Sequence, residues 1–220
     1  MVHIILFGDS IFDNRPYIHP DEPEVVQQLQ AAAPPQWRAT LLAVDGDVID
    51  SVHRQLDRLP ADATHLVLSV GGNDALGEQH ILTEPARIGL DVFSRLASIR
   101  AAFAERYERL LDRFVATGLP VVVCTIYQGR PTEEHWHAAA TALAAFNDVI
   151  IRAAASRGVP VIDLRAICCE PEHYANPIEP SAAGGERIAN TIASVVAHHD
   201  FSRRETVLYT GPVTAAGDAG

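Results

Sequence analysis

Ile4-Ile5-Leu6-Phe7-Gly8-Asp9-Ser10-Ile11-Phe12-Asp13-Asn14 is the stretch on which the reading of this chain turns. The apolar run Ile4 to Phe7 reads as a buried strand. It stops at Gly8, a residue that tolerates backbone angles closed to others and so lets the chain turn sharply. Ser10 then falls just past the carboxyl end of a strand, where ligands and chemistry gather in open α/β sheets. Asp13 and Asn14, next along, either line the mouth of a site or fix the turn.

The same pattern repeats outward. Apolar runs at 39–44, 66–70, 119–126 and 159–164 read as further strands. Helical patterns cover 22–33, 47–59, 89–117, 135–156 and 181–199. Within 89–117, Phe103, Tyr107, Leu110, Leu111 and Phe114 share one face, and Gly118 suits a helix stop. The stretch from 75 to about Pro85 reads as a loop. Strand and helix alternating five times predict a parallel sheet covered by helices on both faces. Composition shows no linker, so a single domain is expected over 1–210, with a flexible tail at 211–220.

The chain has 220 residues, 48% of them apolar, enough for a sizeable core. With 17 Lys plus Arg against 28 Asp plus Glu, its net charge is −11. That balance argues against nucleic acid and anionic membranes as partners, both of which need basic patches. No apolar run reaches the ~18 to 20 residues that would span a bilayer. Met1-Val2-His3 enters the first strand with no basic stretch or cleavage site, so no secretory leader is expected. Cys124, Cys168 and Cys169 do not form a disulfide framework, and a cytoplasmic, reducing setting follows. Oligomeric state cannot be read from these features.

Three strand-ending turns carry small or polar residues: Gly8-Asp9-Ser10, Asp45-Gly46-Asp47 and Gly71-Gly72-Asn73-Asp74. A parallel sheet puts the carboxyl ends of its strands on one edge, so these turns share that edge. The chemistry suggested is acyl transfer. Ser10 would attack a carbonyl carbon, and the N–H groups of Ser10 and Gly46 with the Asn73 side-chain amide would stabilise the oxyanion, one such donor being worth ~3 kcal/mol. Asp9, Asp74 and Asn176 are assigned to its substrate-facing wall, although Asp9 better suits holding the backbone N–H groups of its turn and Asp74 a structural hydrogen-bond acceptor.

In these three blocks the sequence resembles the GDSL-type SGNH hydrolases, over roughly residues 2–199. The resemblance implies a three-layer, flavodoxin-like α/β/α sandwich, esterase, lipase or thioesterase activity on a small-molecule acyl or acetyl ester, and no cofactor or metal. The family's last block carries an aspartate and, three residues on, a histidine. The matching stretch here is Asn176-Pro177-Ile178-Glu179-Pro180-Ser181, with Asn176 in the aspartate's place and Glu179 in the histidine's.

A serine hydroxyl needs a base. A solvated glutamate, with a pKa of ~4.3, is a weak one, and burial would make it stronger. Three readings follow. Glu179 is the base, with Asn176 beside it; another histidine takes over, His173 first and His135, His137 or His19 after it; or the protein binds a ligand without hydrolysing it. Cys168-Cys169 read as packing residues. The Glu133, Glu134, His135 and His137 group fails as a metal site, because i and i+2 do not share a helix face.

Overall fold

In a computed structural model, which describes residues 1–86, 88–130 and 136–213, the opening run forms β1 (His3–Gly8), every residue of it buried. Its neighbours are β2 (Arg38–Leu41), β3 (His65–Ser69), β4 (Val121–Cys124), β5 (Val161–Ile162) and β6 (Leu208–Tyr209). They form one sheet of order β2-β1-β3-β4-β5-β6, with every pairing parallel.

The parallel sheet and its helical cover are as expected; the strand count is not. The sheet has six strands where five were expected. The extra strand, β6, is two residues long, half exposed, and follows no helix-to-strand change of period. It is recruited by β5: Val161 N–H donates to Val207 O (2.9 Å) and Asp163 N–H to Tyr209 O (2.8 Å). The chain is still anchored past 210, where the tail was expected to begin. Val213 N–H donates to Ser194 Oγ at 2.8 Å. The rest of the expected tail, 214–220, lies outside the described residues.

Alternation along β1 divides the core. Ile5 and Phe7 join Leu66, Leu68 and Val123 beneath α2 (Ile49–Leu56), α4 (Gly89–Ala116) and α5 (Trp136–Ala155). Ile4 and Leu6 join Val67, Val122 and Ile162 on the other face, beneath α1 (Val25–Ala32), α6 (Leu164–Ile167) and α7 (Ala182–His198). The result is a three-layer α/β/α sandwich.

α5 bears on one expectation. By length and composition it could cross a membrane, the only such helix among the described residues. Its alanines supply the apolar character, while Phe146, Val149, Ile150, Ala153 and Ala154 are buried against the sheet and α4 as in a core helix.

Two consequences bear on the site. The chain leaves β1 toward β2 and returns to β3 on the other side, so the order reverses between β1 and β3. A crevice opens beyond strand ends at such a reversal. Gly8 pairs with Ser69 across it, at a φ of +134°. A Cβ at Gly8 would lie 1.7 Å from Ser69 O, so the close approach of the two strand ends requires glycine. The expected loop after β3 is in fact a short helix, α3 (Gly72–Gly77), and a helical turn, Gln79–Leu82. Glycines at both ends of α3 hide it from a reading by hydrophobic period.

Candidate active site

The crevice is a cleft of about 670 Å³, and Asp9, Ser10, Asn73, Asn176 and Glu179 all line it. Residues 170 positions apart in sequence thus meet at the β1–β3 edge.

Ser10 is held by the turn before it. Gln55, from α2, brackets Gly8: its Oε1 accepts Gly8 N–H (2.9 Å) and its Nε2 donates to Gly8 O (2.7 Å). Asp9 Oδ1 accepts Ile11 N–H at 3.2 Å, and Asp9 O accepts the N–H groups of Phe12 and Asp13. Asp9 both lines the cleft and fixes the turn. Burial pushes its carboxyl up to about 8, against the opposing bond from Ile11 and with further upward pressure from Glu179, Asp74 and Asp45. Asp13 and Asn14 fix the turn: Asp13 accepts from Asp45 N–H (2.9 Å) and Asn14 from Val25 N–H (3.1 Å).

Asn73 sits on α3, just past β3. Its side-chain nitrogen donates to Asp47 O at 3.0 Å, which ties the second turn to the third. An amide nitrogen carries two N–H groups, so a second donor remains beside the cleft. One assignment changes here. Gly46 is exposed, at the turn closed by Asp47 N–H to Val44 O (3.1 Å) and next to the Asp47 carbonyl that Asn73 holds. Asp74 has another use. Its carboxylate is consumed by Ile49 N–H (3.0 Å), at the start of α2, and by Arg106 (2.7 Å) on α4. Asp74 is a buried structural clamp, not a substrate contact.

Glu179 comes from the loop before α7. Asn176 Oδ1 accepts the N–H groups of Ile178 and Glu179, both at 2.9 Å. Arg130 N–H donates to Pro177 O (2.8 Å), and the Tyr127 hydroxyl donates to Ile178 O. Gly129 permits this docking: its φ is +74°, and a Cβ there would lie 2.4 Å from Pro177 O. Glu179 is 7% exposed, and its Oε2 is buried without a hydrogen-bond partner. Burial raises its pKa, while a side-chain hydrogen-bonding interaction with Ser10 lowers it again.

No histidine lines the cleft among the described residues. His173 is buried in its own turn, with Nδ1 accepting from Glu170 N–H at 3.1 Å, and burial lowers its pKa. His19 faces solvent beside Asp21, and His137 is exposed. His135, with Glu133 and Glu134, lies outside the described residues. Among those described, no cluster of three or more His, Cys, Asp or Glu side chains is placed to hold a metal.

Tyr17 is a cleft residue that the sequence did not signal. Its hydroxyl donates to the Asp45 carboxylate (2.9 and 3.0 Å), and burial pushes it up to about 12, so it stays protonated.

Compared with protein families, residues 6–187 match the profile of the GDSL-like lipase/acylhydrolase family. The chain belongs to that family. It is accordingly a hydrolase of the esterase and lipase type. Its fold is shared with other solved structures: an extracellular lipase from Streptomyces rimosus (TM-score 0.63, 17% identity, covering 91% of this chain and 100% of the other), an acetyl xylan esterase (0.66, 18%, 89% and 100%), and a lipase/acylhydrolase from Enterococcus faecalis (0.60, 21%, 88% and 94%). Curated proteins give no match.

Proposed function

We propose that this GDSL-like hydrolase cleaves small-molecule carboxylic esters with Ser10 as nucleophile and Glu179 as base. The observation that carries the reading is that Ser10 and Glu179 line the same cleft, and that the Glu179 carboxylate is buried there with Oε2 short of a hydrogen-bond partner. Desolvation makes that carboxylate a stronger base than one in water.

Ser10 Oγ attacks the ester carbonyl carbon as its proton passes to Glu179. The Ser10 N–H and the second N–H of the Asn73 amide receive the oxyanion. The ester C–O bond then breaks, and the alcohol departs with the proton from Glu179. Water, deprotonated by the same carboxylate, attacks the acyl-serine; the acyl–Oγ bond breaks, Glu179 returns the proton to Ser10 Oγ, and the acid is released. Asn176 positions Glu179. Asp9, neutral below about pH 8, adds no negative charge next to the developing oxyanion. With a carboxylate base no imidazolium forms, so nothing requires an aspartate at 176. The free thiols of Cys124, Cys168 and Cys169 agree with a cytoplasmic setting.

A second reading, ligand binding without turnover, is favoured by the absence of histidine from the described cleft wall. One set of measurements separates the two: turnover of short p-nitrophenyl esters, and labelling by a fluorophosphonate, in wild type and Ser10→Ala. The hydrolase reading expects both signals in wild type and neither in the variant. Absence of both in wild type would leave the binding reading.

A further inference from the structure

We propose that Gln55, a buried side chain of α2, is a positioning residue that holds the Ser10 turn and the Asn73 amide at their working distance. This rests on the hydrolase reading, because that reading makes Ser10 the nucleophile and Asn73 an oxyanion donor.

The sequence of α2 carries the first part of the argument. Ile49, Val52 and Leu56 form its buried stripe, and Gln55 is buried with them, 1% exposed. A primary amide in an apolar stripe costs free energy unless its polar atoms find partners. An apolar side chain would carry no such cost, so the bonds that Gln55 makes are the reason for an amide here.

Those bonds reach two different turns. Gln55 Oε1 accepts Gly8 N–H (2.9 Å), and Nε2 donates to both Gly8 O and the Asp47 carboxylate, each at 2.7 Å. Both N–H groups of the amide are used. Among side chains only Asn and Gln carry two donors and an acceptor on one amide, and Asn is a methylene shorter.

Each turn then leads to a reacting group. Gly8 stands just before Asp9 and Ser10. Asp47 O accepts the Asn73 side-chain N–H at 3.0 Å. One side chain thus links the turn that carries the nucleophile to the residue whose carbonyl aims the oxyanion donor. Asp13 also reaches the second turn, at Asp45 N–H (2.9 Å), but that bond touches neither Gly8 nor Asp47. The platform is fixed as well: Ile49 N–H, at the amino end of α2, donates to the carboxylate of Asp74, the neighbour of Asn73 (3.0 Å). Reacting geometry is sensitive to such ties, since about 1 Å of misplacement can cost ~10²-fold in rate.

The test compares Gln55→Met, which keeps the length of the side chain but makes none of these bonds, with Val52→Ala, which loosens the same helix and leaves the bonds in place. Rates are measured on a short p-nitrophenyl ester, with active sites counted by fluorophosphonate labelling. Gln55→Met should lose about 10- to 100-fold in kcat with KM within about two-fold of wild type. Val52→Ala should keep kcat within about two-fold at a comparable fall in Tm. In an Asn73→Ala background the Gln55→Met loss should shrink, because both changes act on one oxyanion donor. Losses that multiply, or equal kcat losses in Gln55→Met and Val52→Ala, overturn the proposal and leave the hydrolase reading standing. If Gln55→Met does not fold, Asp47→Ala decides, since it removes the side-chain link and keeps the carbonyl. A fall in kcat at constant KM upholds the proposal there, and an unchanged kcat overturns it. If wild type turns over no ester, the hydrolase reading fails, and the link is read from the Asn73 side-chain amide in heteronuclear NMR spectra, assigned by its loss in Asn73→Ala. A signal that shifts in Gln55→Met and not in Val52→Ala upholds the link; one that is unmoved, or moves equally in both, overturns it.

Discussion

Asn176 Oδ1 accepts the backbone N–H of Glu179 at 2.9 Å. Asn176 therefore fixes the backbone of Glu179. The same oxygen also accepts Ile178 N–H, so the loop is locked across both peptides. An asparagine oxygen does this without bringing a negative charge up to a buried carboxylate.

Asn176→Ala should lose both bonds. At ~1 kcal/mol net for each, stability should fall by about 1–2 kcal/mol, and kcat should fall more than KM rises, because Glu179 is released from its place. Asn176→Asp keeps the acceptor but adds a charge. A neighbouring anion disfavours ionisation of Glu179, so the acid limb of the kcat/KM profile should move to higher pH. An unmoved limb in Asn176→Asp would mean that residue 176 does not sense the base.

Glu179→Gln preserves shape and removes the proton acceptor. With general-base assistance worth ~10²–10⁴-fold, kcat on a short ester should drop into that range, and the acid limb should vanish. That limb should lie above the usual glutamate range in wild type, since burial raises the Glu179 pKa more than Ser10 lowers it. Rates in the variant equal to wild type across pH would remove Glu179 as the base.

Much of this is legible in the sequence. Local signals placed β1, the Gly8-Asp9-Ser10 turn and the long helix α4, because a strand ending in glycine and a one-sided stripe of apolar residues are written in consecutive residues. The family was legible through the blocks at 8–10 and 71–74. What escaped was decided by tertiary partners. β6 exists because β5 presents an open edge to it. Asp74 was misassigned because its use depends on Arg106 and Ile49, which lie 32 and 25 residues away. Tyr17 carried no signal, being one aromatic residue in a polar loop.

Gly8→Ala tests whether the crevice depends on close approach of β1 and β3. The added methyl would meet Ser69 O at 1.7 Å, in a backbone conformation that side chains rarely adopt. Neither the strand pairing nor the bracket formed by Gln55 can yield without exposing buried polar groups. A loss of ~3 kcal/mol or more is expected, at or beyond the upper end for overpacked sites, and urea unfolding or soluble yield would read it. Stability within ~0.5 kcal/mol of wild type, the range of ordinary surface substitutions, would show that the two strand ends can separate.

Asp9 makes the last prediction one about pH. Its carboxyl is raised from 3.8 to about 8, chiefly by burial. Between those values the folded protein keeps a proton that the unfolded chain has lost. By linkage, the stability contributed by this group is full below the unfolded value and disappears as pH rises through the folded one. Asp9→Asn retains an acceptor for Ile11 N–H and has nothing to titrate. The stability of wild type relative to Asp9→Asn should therefore decline steadily from pH 4 to pH 8, as followed by paired thermal melts. Catalysis should show the same group from the other side. Activity should rise as Glu179 ionises and then fall above about pH 8, where an ionised Asp9 beside Glu179 opposes the oxyanion forming at Ser10. In Asp9→Asn the acid limb should remain and the alkaline fall should disappear. An alkaline fall that survives the substitution would assign that limb to a different group and leave Asp9 as a turn residue alone.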